Sequence, residues 1–462
     1  METVEAEGVT CGGSVIPADA PAGQRAMQLV ELSRHATALA EQYFNALPLE
    51  EQAQLVLSVS PEHRLDLLNL PVDATALVQS LPELELHRTI QTVGKWEAME
   101  VVEVASEDQI NFMLDHDCWR GENLDSRKFT DWIQLFLECD EHQIARILMA
   151  INADLLALAL KKHVKFEKDF MISDVYYLDP DWVKGSNPAV QMFLERLYAM
   201  DPNLWIRLLG WVRMHNKGTI EADAIEGREG RLKGKGYPAP TLAITVYYPV
   251  DFDFKPAIAA WLEEFRQPGL FGGSCLPVQG VREVLFLQRA MRCLAESGVG
   301  DEFMAMRWEA ELVDVANKVM VADQVDIGDM QRQREAVDKV RRWISIGLEA
   351  AASGLPETGA ELLKQKNCEH FFRIGAMLYD QLGSAVVELS KAEQRTGGRL
   401  SSSDYGDAYF ALAEPEPQIP TGVAGSGLKR PIMTLTEYRH AWQLVWALEN
   451  IAAGQEPPAA PV

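Results

Sequence analysis

The stretch "LDHDCWRGENLD" (114–125) gathers Asp115, His116, Asp117, Cys118 and Trp119 into five consecutive positions. Two chemistries could use these types. With Cys139 and His142 they make an HxC pair followed by a CxxH pair, the donor set that tetrahedral zinc favours. Alternatively, Asp115 and Asp117 with neighbouring acids could hold Mg²⁺ or Ca²⁺. Counting speaks against zinc: nine His and six Cys yield roughly two close pairs by chance, and three occur, at 116/118, 139/142 and 368/370. A helix expected over 126–138, about 20 Å long, would also separate the two pairs. The calcium reading lacks the further oxygen ligands and closing glutamate of a Ca²⁺ loop. Glu97, Glu100, Glu103 and Glu107 alternate with Trp96, Met99 and Val102, which is the wet face of an amphipathic helix.

Other motifs are incomplete. "GLFGGSCLP" carries Gly272, Ser274 and Cys275 but not the second glycine of GxSxG. "EGREGRLKGKGYP" is glycine-rich and basic without matching a phosphate loop, and it reads as a solvated turn. Its Arg228, Arg231, Lys233 and Lys235 stand out in an acidic chain as contacts for an anion or an acidic partner. A di-iron bundle needs two ExxH motifs, and only Glu437 with His440 qualifies. No catalytic residue, metal set or cofactor is therefore assigned, and Asp115 and Asp117 stay as the metal candidates.

The elements that must position these residues read as helices. "SEDQINFML" opens with a capping box, Ser106 with Gln109. Asp125 precedes a helix whose Phe129, Trp132, Ile133, Phe136 and Leu137 share one face, and Ile144, Ile147, Leu148 and Ile151 repeat that spacing. Pro48, Pro61, Pro71 and Pro82 punctuate the first third, and "EDQINFML" and "EHQIARIL" lie 34 residues apart. Short amphipathic helices with brief links imply an all-α, superhelical, helical-repeat stack. Only "TLAITVYY" at 241 has strand-like content. The expected organisation is a disordered start (1–22), a helical-repeat region (23–165), a helical C-terminal region (166–395), a Gly/Ser/Pro-rich loop or linker (396–433), a terminal amphipathic helix (434–453) and a disordered tail (454–462). The terminal helix opens with a Thr434–Glu437 capping box and carries Trp442 and Trp446, suited to docking on the body or on a partner.

Composition bounds the rest. A formal charge of -25 disfavours nucleic acid and anionic membranes. The longest apolar run, "LLALAL" at 155, is far shorter than a membrane helix needs. "METVEAEGVTCGG" lacks the basic and apolar parts of a signal peptide, and six scattered cysteines without a CxxC pair suit the reduced cytoplasm.

Taken together, "LPELELHRTIQTVG" at 81, "LDHDCW" at 114, "REGRLKGKGYP" at 228, "ELVDVANKVMVAD" at 311, "SIGLEAA" at 345 and "FFRIGAML" at 371 resemble an uncharacterised bacterial family known only as a domain of unknown function. The resemblance spans about 45–440. It attaches to Asp115, Asp117 and Trp119, lends nothing to His116 and Cys118, and implies that "TLAITVYY" is a short helix. The first third also resembles the cytosolic N-terminal domain of MgtE magnesium transporters and the motor switch protein FliG, in its "LP" turns and EDQ-type helix starts. The sequence thus points to a cytoplasmic, non-enzymatic interaction or regulatory scaffold with a protein partner. A divalent-metal-responsive protein using Asp115 and Asp117 is the alternative.

Overall fold

The computed structural model describes residues 10–11, 14–15, 20–167, 178–266, 285–296, 302–421 and 427–455. The expectations for Gly272, Ser274 and Cys275 lie outside these residues, as do those for most of the two termini. The chain is mostly helical, with 23 α-helices among the described residues and strands only as short two-stranded ribbons. Among the described residues no single helix is long and apolar enough to cross a membrane. The chain divides into two compact units: residues 1–239 with 324–333, and residues 240–323 with 334–462. The boundary falls at Ala239, inside the stretch assigned above as one helical C-terminal region.

In the first unit, prolines set the helix starts. Pro48 and Pro82 stand at the N-caps of helices Leu49–Ser58 and Glu83–Val93, and Pro61 fills the first turn of Pro61–Leu68. Proline suits these places because its missing N–H would find no partner in the first turn and its φ is already helical. The short helices pack on the helix two places along the chain. Leu49–Ser58 meets Ala74–Ser80, which meets Met99–Val104; Pro61–Leu68 meets Glu83–Val93, which meets Glu107–Asp117. A repeated device closes the "LP" turns. Gln52 donates from Nε2 to the carbonyls of Phe44 and Leu47, at 3.0 and 2.9 Å. Gln109 does the same to Val78 and Leu81, at 2.8 and 2.9 Å. Both amides are buried, so the turn carbonyls find in them the partner that water would otherwise supply. The face Phe129, Trp132, Ile133, Phe136 and Leu137 is buried in one continuous core with Ile144, Ile147, Leu148 and Ile151.

In the second unit, helix Met330–Ala351, which enters that unit at Arg334, crosses Cys368–Thr396 with the two backbones almost touching. A Cβ at Gly347 would lie 2.0 Å from the Phe371 carbonyl oxygen, and one at Gly375 would lie 2.2 Å from that of Trp343. Only glycine permits that approach. Helix Leu435–Ala452 packs on Cys368–Thr396, and its Thr434–Glu437 capping box is present.

The strand-like content of "TLAITVYY" does not decide its structure: it forms helix Pro240–Ala243 and a 3₁₀ turn, Ile244–Tyr247, the helical outcome that the family resemblance implies. Its β-branched residues yield to packing, since Ala243 and Val246 are fully buried and the segment lies against helix Glu302–Ala322. Likewise 396–433 is not a plain loop, for it holds helix Gly406–Leu412 and the paired strands Gln418–Pro420 and Lys429–Pro431.

Candidate functional site

Leu114 to Asp117 form the last turn of helix Glu107–Asp117, whose Ser106–Gln109 capping box fixes its start; Cys118 is its C-cap and Trp119 opens the ribbon that follows. Asp115 is buried and receives a two-pronged grip from Arg231, Nε to Oδ2 at 2.7 Å and Nη2 to Oδ1 at 2.8 Å. Burial pushes its carboxyl up while the guanidinium pulls it back. Arg228 donates to the Asp115 carbonyl at 2.8 Å and to that of Gly121 at 3.1 Å, and its guanidinium lies 5.1 Å from the Trp119 ring centre. Gly121, at φ +60°, turns the ribbon that pairs Trp119–Arg120 with Asn123–Leu124. Asp117 faces another way, accepting from Lys128 Nζ and from the Trp132 indole, each at 2.7 Å. Against the penalty of burial, those two donors hold its carboxyl below the usual range. His116 packs between Phe112 and Tyr237, with ring centres 4.4 and 5.2 Å away. Burial keeps it neutral.

The cluster is therefore a polar spine that ties four segments of the first unit together. Among the described residues no group of three or more His, Cys, Asp or Glu side chains could hold a metal. Both metal candidates have cations of the chain itself as partners, and the zinc set is not assembled. Cys139 bonds the Leu135 carbonyl, burial pushes its thiol up to about 12, and His142 is exposed. The same is true of Cys118, whose buried thiol is held well above its ordinary value. Thiols held protonated in this way are poor nucleophiles and poor metal ligands.

The basic stretch at 228–235 is corrected as well. It is no solvated turn but the end of helix Lys217–Gly234 and the residue after it. Arg228 and Arg231 reach inward to Asp115, Lys235 pairs with Glu83, and Lys233 alone of the four stands exposed without a bond of this kind among the described residues. Trp442 is buried and Trp446 half-buried on the terminal helix. The six residues singled out for partner contact thus leave Lys233 and Lys235 as their exposed members.

The larger cavity arises where sequence reading found no motif. In the second unit a hollow of about 620 Å³ is lined by Tyr247, Lys339, Trp343, Tyr379, Asp380 and Glu416, among others. The glycine crossing positions it: Trp343 lies one turn before Gly347, and Tyr379 one turn after Gly375. Trp343 stacks on Tyr379 at 4.7 Å between centres and on Phe372 at 5.4 Å. Lys339 lies 4.5 Å from the Trp343 ring centre and donates to Tyr247 Oη at 2.9 Å and Asp323 at 2.7 Å. Tyr247 in turn donates to Asp323 at 2.7 Å. Burial, with Asp323 beside it, pushes the Tyr247 phenol well above its ordinary value, so it stays a donor. Glu416 accepts from Arg342 at 3.0 and 3.1 Å and from the Trp343 indole at 3.0 Å. Along Cys368–Thr396, Asp380, Gly383, Ser384 and Val387 present one helical stripe to the hollow. A Cβ at Gly383 would meet nothing within 4 Å among the described residues. The signal that could have led here is the glycine in each of "SIGLEAA" and "FFRIGAML".

A smaller hollow of about 430 Å³ in the first unit includes Glu62, Asp326 and Asp329 in its lining. Asp326 and Asp329 are engaged with backbone amides of Gly328, Gln331 and Arg332.

No curated protein and no solved structure matches the chain. The likeness of the first third to MgtE and FliG gains no support. A family model described as a family of unknown function does match, over residues 41–455, and the chain belongs to that family, DUF6178.

Proposed function

We propose that the protein is a non-enzymatic binding and regulatory protein, a superhelical stack of short helices for a protein partner combined with a ligand pocket in the second unit. The observation that carries the pocket is the hollow of about 620 Å³ walled by Trp343, Tyr247 and Tyr379. Its size and its mix of aromatic walls with a few polar groups are those of small-molecule sites. The non-enzymatic part rests on how the ionisable groups are engaged. Lys339 and Tyr247 share Asp323, Glu416 is held by Arg342, and Asp115 and Asp117 serve the core of the first unit.

Gly383→Leu tests the pocket. The new side chain enters open space on a helix, where leucine is a better helix former than glycine. A thermal-shift screen of small organic molecules should yield compounds that stabilise the native chain and leave Gly383→Leu unmoved. At a hundredfold excess over Kd the stabilisation should reach about 2.7 kcal/mol. Compounds that act equally on both chains, or a screen without any, would refute the reading.

A further inference from the structure

We propose that the cavity of the second unit takes an organic ammonium cation with an aromatic or alkyl body. The inference rests on the pocket reading above and adds the charge of the ligand. It begins with the ionic balance of the walls. Lys339 is matched by Asp323 at 2.7 Å, and Arg342 by Glu416 at 3.0 Å. Asp380, exposed at the rim, is then the lining charge with no ion pair among the described residues. One negative charge is left over, and a ligand that completes the balance brings a positive one.

The walls favour the same sign. Trp343 and Tyr247 already hold a cation, the Lys339 ammonium, at 4.5 and 5.2 Å from their ring centres. Aromatic faces attract ammonium groups through their quadrupoles, and desolvated ones do so most strongly. An anion entering the hollow would have to approach Asp380, and Asp323 has already taken up the charge of Lys339. The formal charge of -25 on the chain steers cations inward and slows anions. Met377, Ala376 and Val387 leave room for an apolar body beside the charged head.

The experiment titrates the full chain at low salt by calorimetry with three small probes: benzyltrimethylammonium, neutral phenylacetamide and anionic phenylacetate. Benzyltrimethylammonium should bind at least about tenfold tighter than phenylacetate. Asp380→Asn should weaken the cation roughly three- to fivefold and flatten its salt dependence, the size of an exposed ion pair. Gly383→Leu should abolish binding of every probe, with Gly383→Ala, which keeps most of the space, as the control for folding. Two outcomes overturn the cation assignment alone. One is phenylacetate binding as tightly as the ammonium; the other is Asp380→Asn leaving the ammonium untouched while Gly383→Leu still blocks it. No binding by any probe overturns this inference, and binding that survives Gly383→Leu overturns both it and the pocket reading on which it stands.

Discussion

His87 offers the sharpest test of how the first unit is held together. Its imidazole, on helix Glu83–Val93, is 1% exposed, and neither ring nitrogen has a hydrogen-bond partner among the described residues. Phe112 and His116 stand at 6.1 and 6.2 Å between ring centres, and a Cβ at Gly328 would lie 3.2 Å from Nε2. The charged groups around it are of both signs, Asp117 and Asp326 against Lys128 and Arg88. Burial dominates and pushes the pKa from 6.5 down to about 4. The unfolded chain therefore takes up a proton as pH falls through 6.5, while the folded chain does so only near 4. Stability from this group is complete above 6.5 and declines below it, by about 3 kcal/mol once pH reaches 4, at 1.36 kcal/mol per pH unit. His116, also held neutral by burial, acts in the same direction. In His87→Leu the buried nitrogens disappear, so at neutral pH the variant should be as stable as the native chain or more so by about 1 kcal/mol. Its advantage should then widen by about 3 kcal/mol as pH falls from 6.5 to 4. Urea titrations across that window, with amide exchange of Glu83–Val93 as the local readout, measure the difference. Parallel stability curves for the two chains would refute a neutral, unpartnered His87.

Asp115→Ala should destabilise the first unit by about 1–3 kcal/mol, because it removes the buried carboxylate that the partly buried Arg231 grips with two hydrogen bonds, and Asp115→Leu with Arg231→Met should recover most of the loss in thermal melts. Gly375→Ala forces a methyl group into the Trp343 carbonyl and should lower the stability of the second unit by about 1–3 kcal/mol, whereas Gly383→Ala on the same helix should raise it by about 0.5–1 kcal/mol. Thr434→Ala, which removes the side chain that accepts from Glu437 N at 3.2 Å, should reduce stability by about 1 kcal/mol in urea titrations.

What could be read in advance was local. Ser106–Gln109 and Thr434–Glu437 form their capping boxes, and Asp125 caps helix Ser126–Glu138 through the Arg127 and Lys128 amides. A cap depends on residues three positions apart, and a buried stripe on spacings of three and four, so both are written in short windows. The stretch at 228–235 misled because Gly227, Gly230 and Gly234 weaken helix propensity, and the tertiary anchor that outweighs them is remote in sequence. That anchor, Asp115, lies 116 residues from Arg231. The pocket was invisible for the same reason. Tyr247, Lys339 with Trp343, Asp380 and Glu416 come from four separate segments, of which the glycine crossing joins the two that carry Lys339 with Trp343 and Asp380.

Helix geometry accounts for the fate of Asp115, His116 and Asp117. Successive helical residues are rotated by about 100°, so three neighbours in sequence point to three sides of the helix. Asp115 faces helix Lys217–Gly234, His116 faces Tyr237 and helix Glu83–Val93, and Asp117 faces helix Ser126–Glu138. Residues that diverge in this way cannot close on one ion, whatever their types. A helix that must be polar on three sides at its buried end instead needs a separate partner on each side, and this one has Arg231, the aromatic ring of Tyr237, and Lys128 with Trp132. Density of ligand-like letters over consecutive positions is thus evidence for a helix that joins several neighbours. A metal set on the same helix would require spacings of three or four, which return side chains to one face.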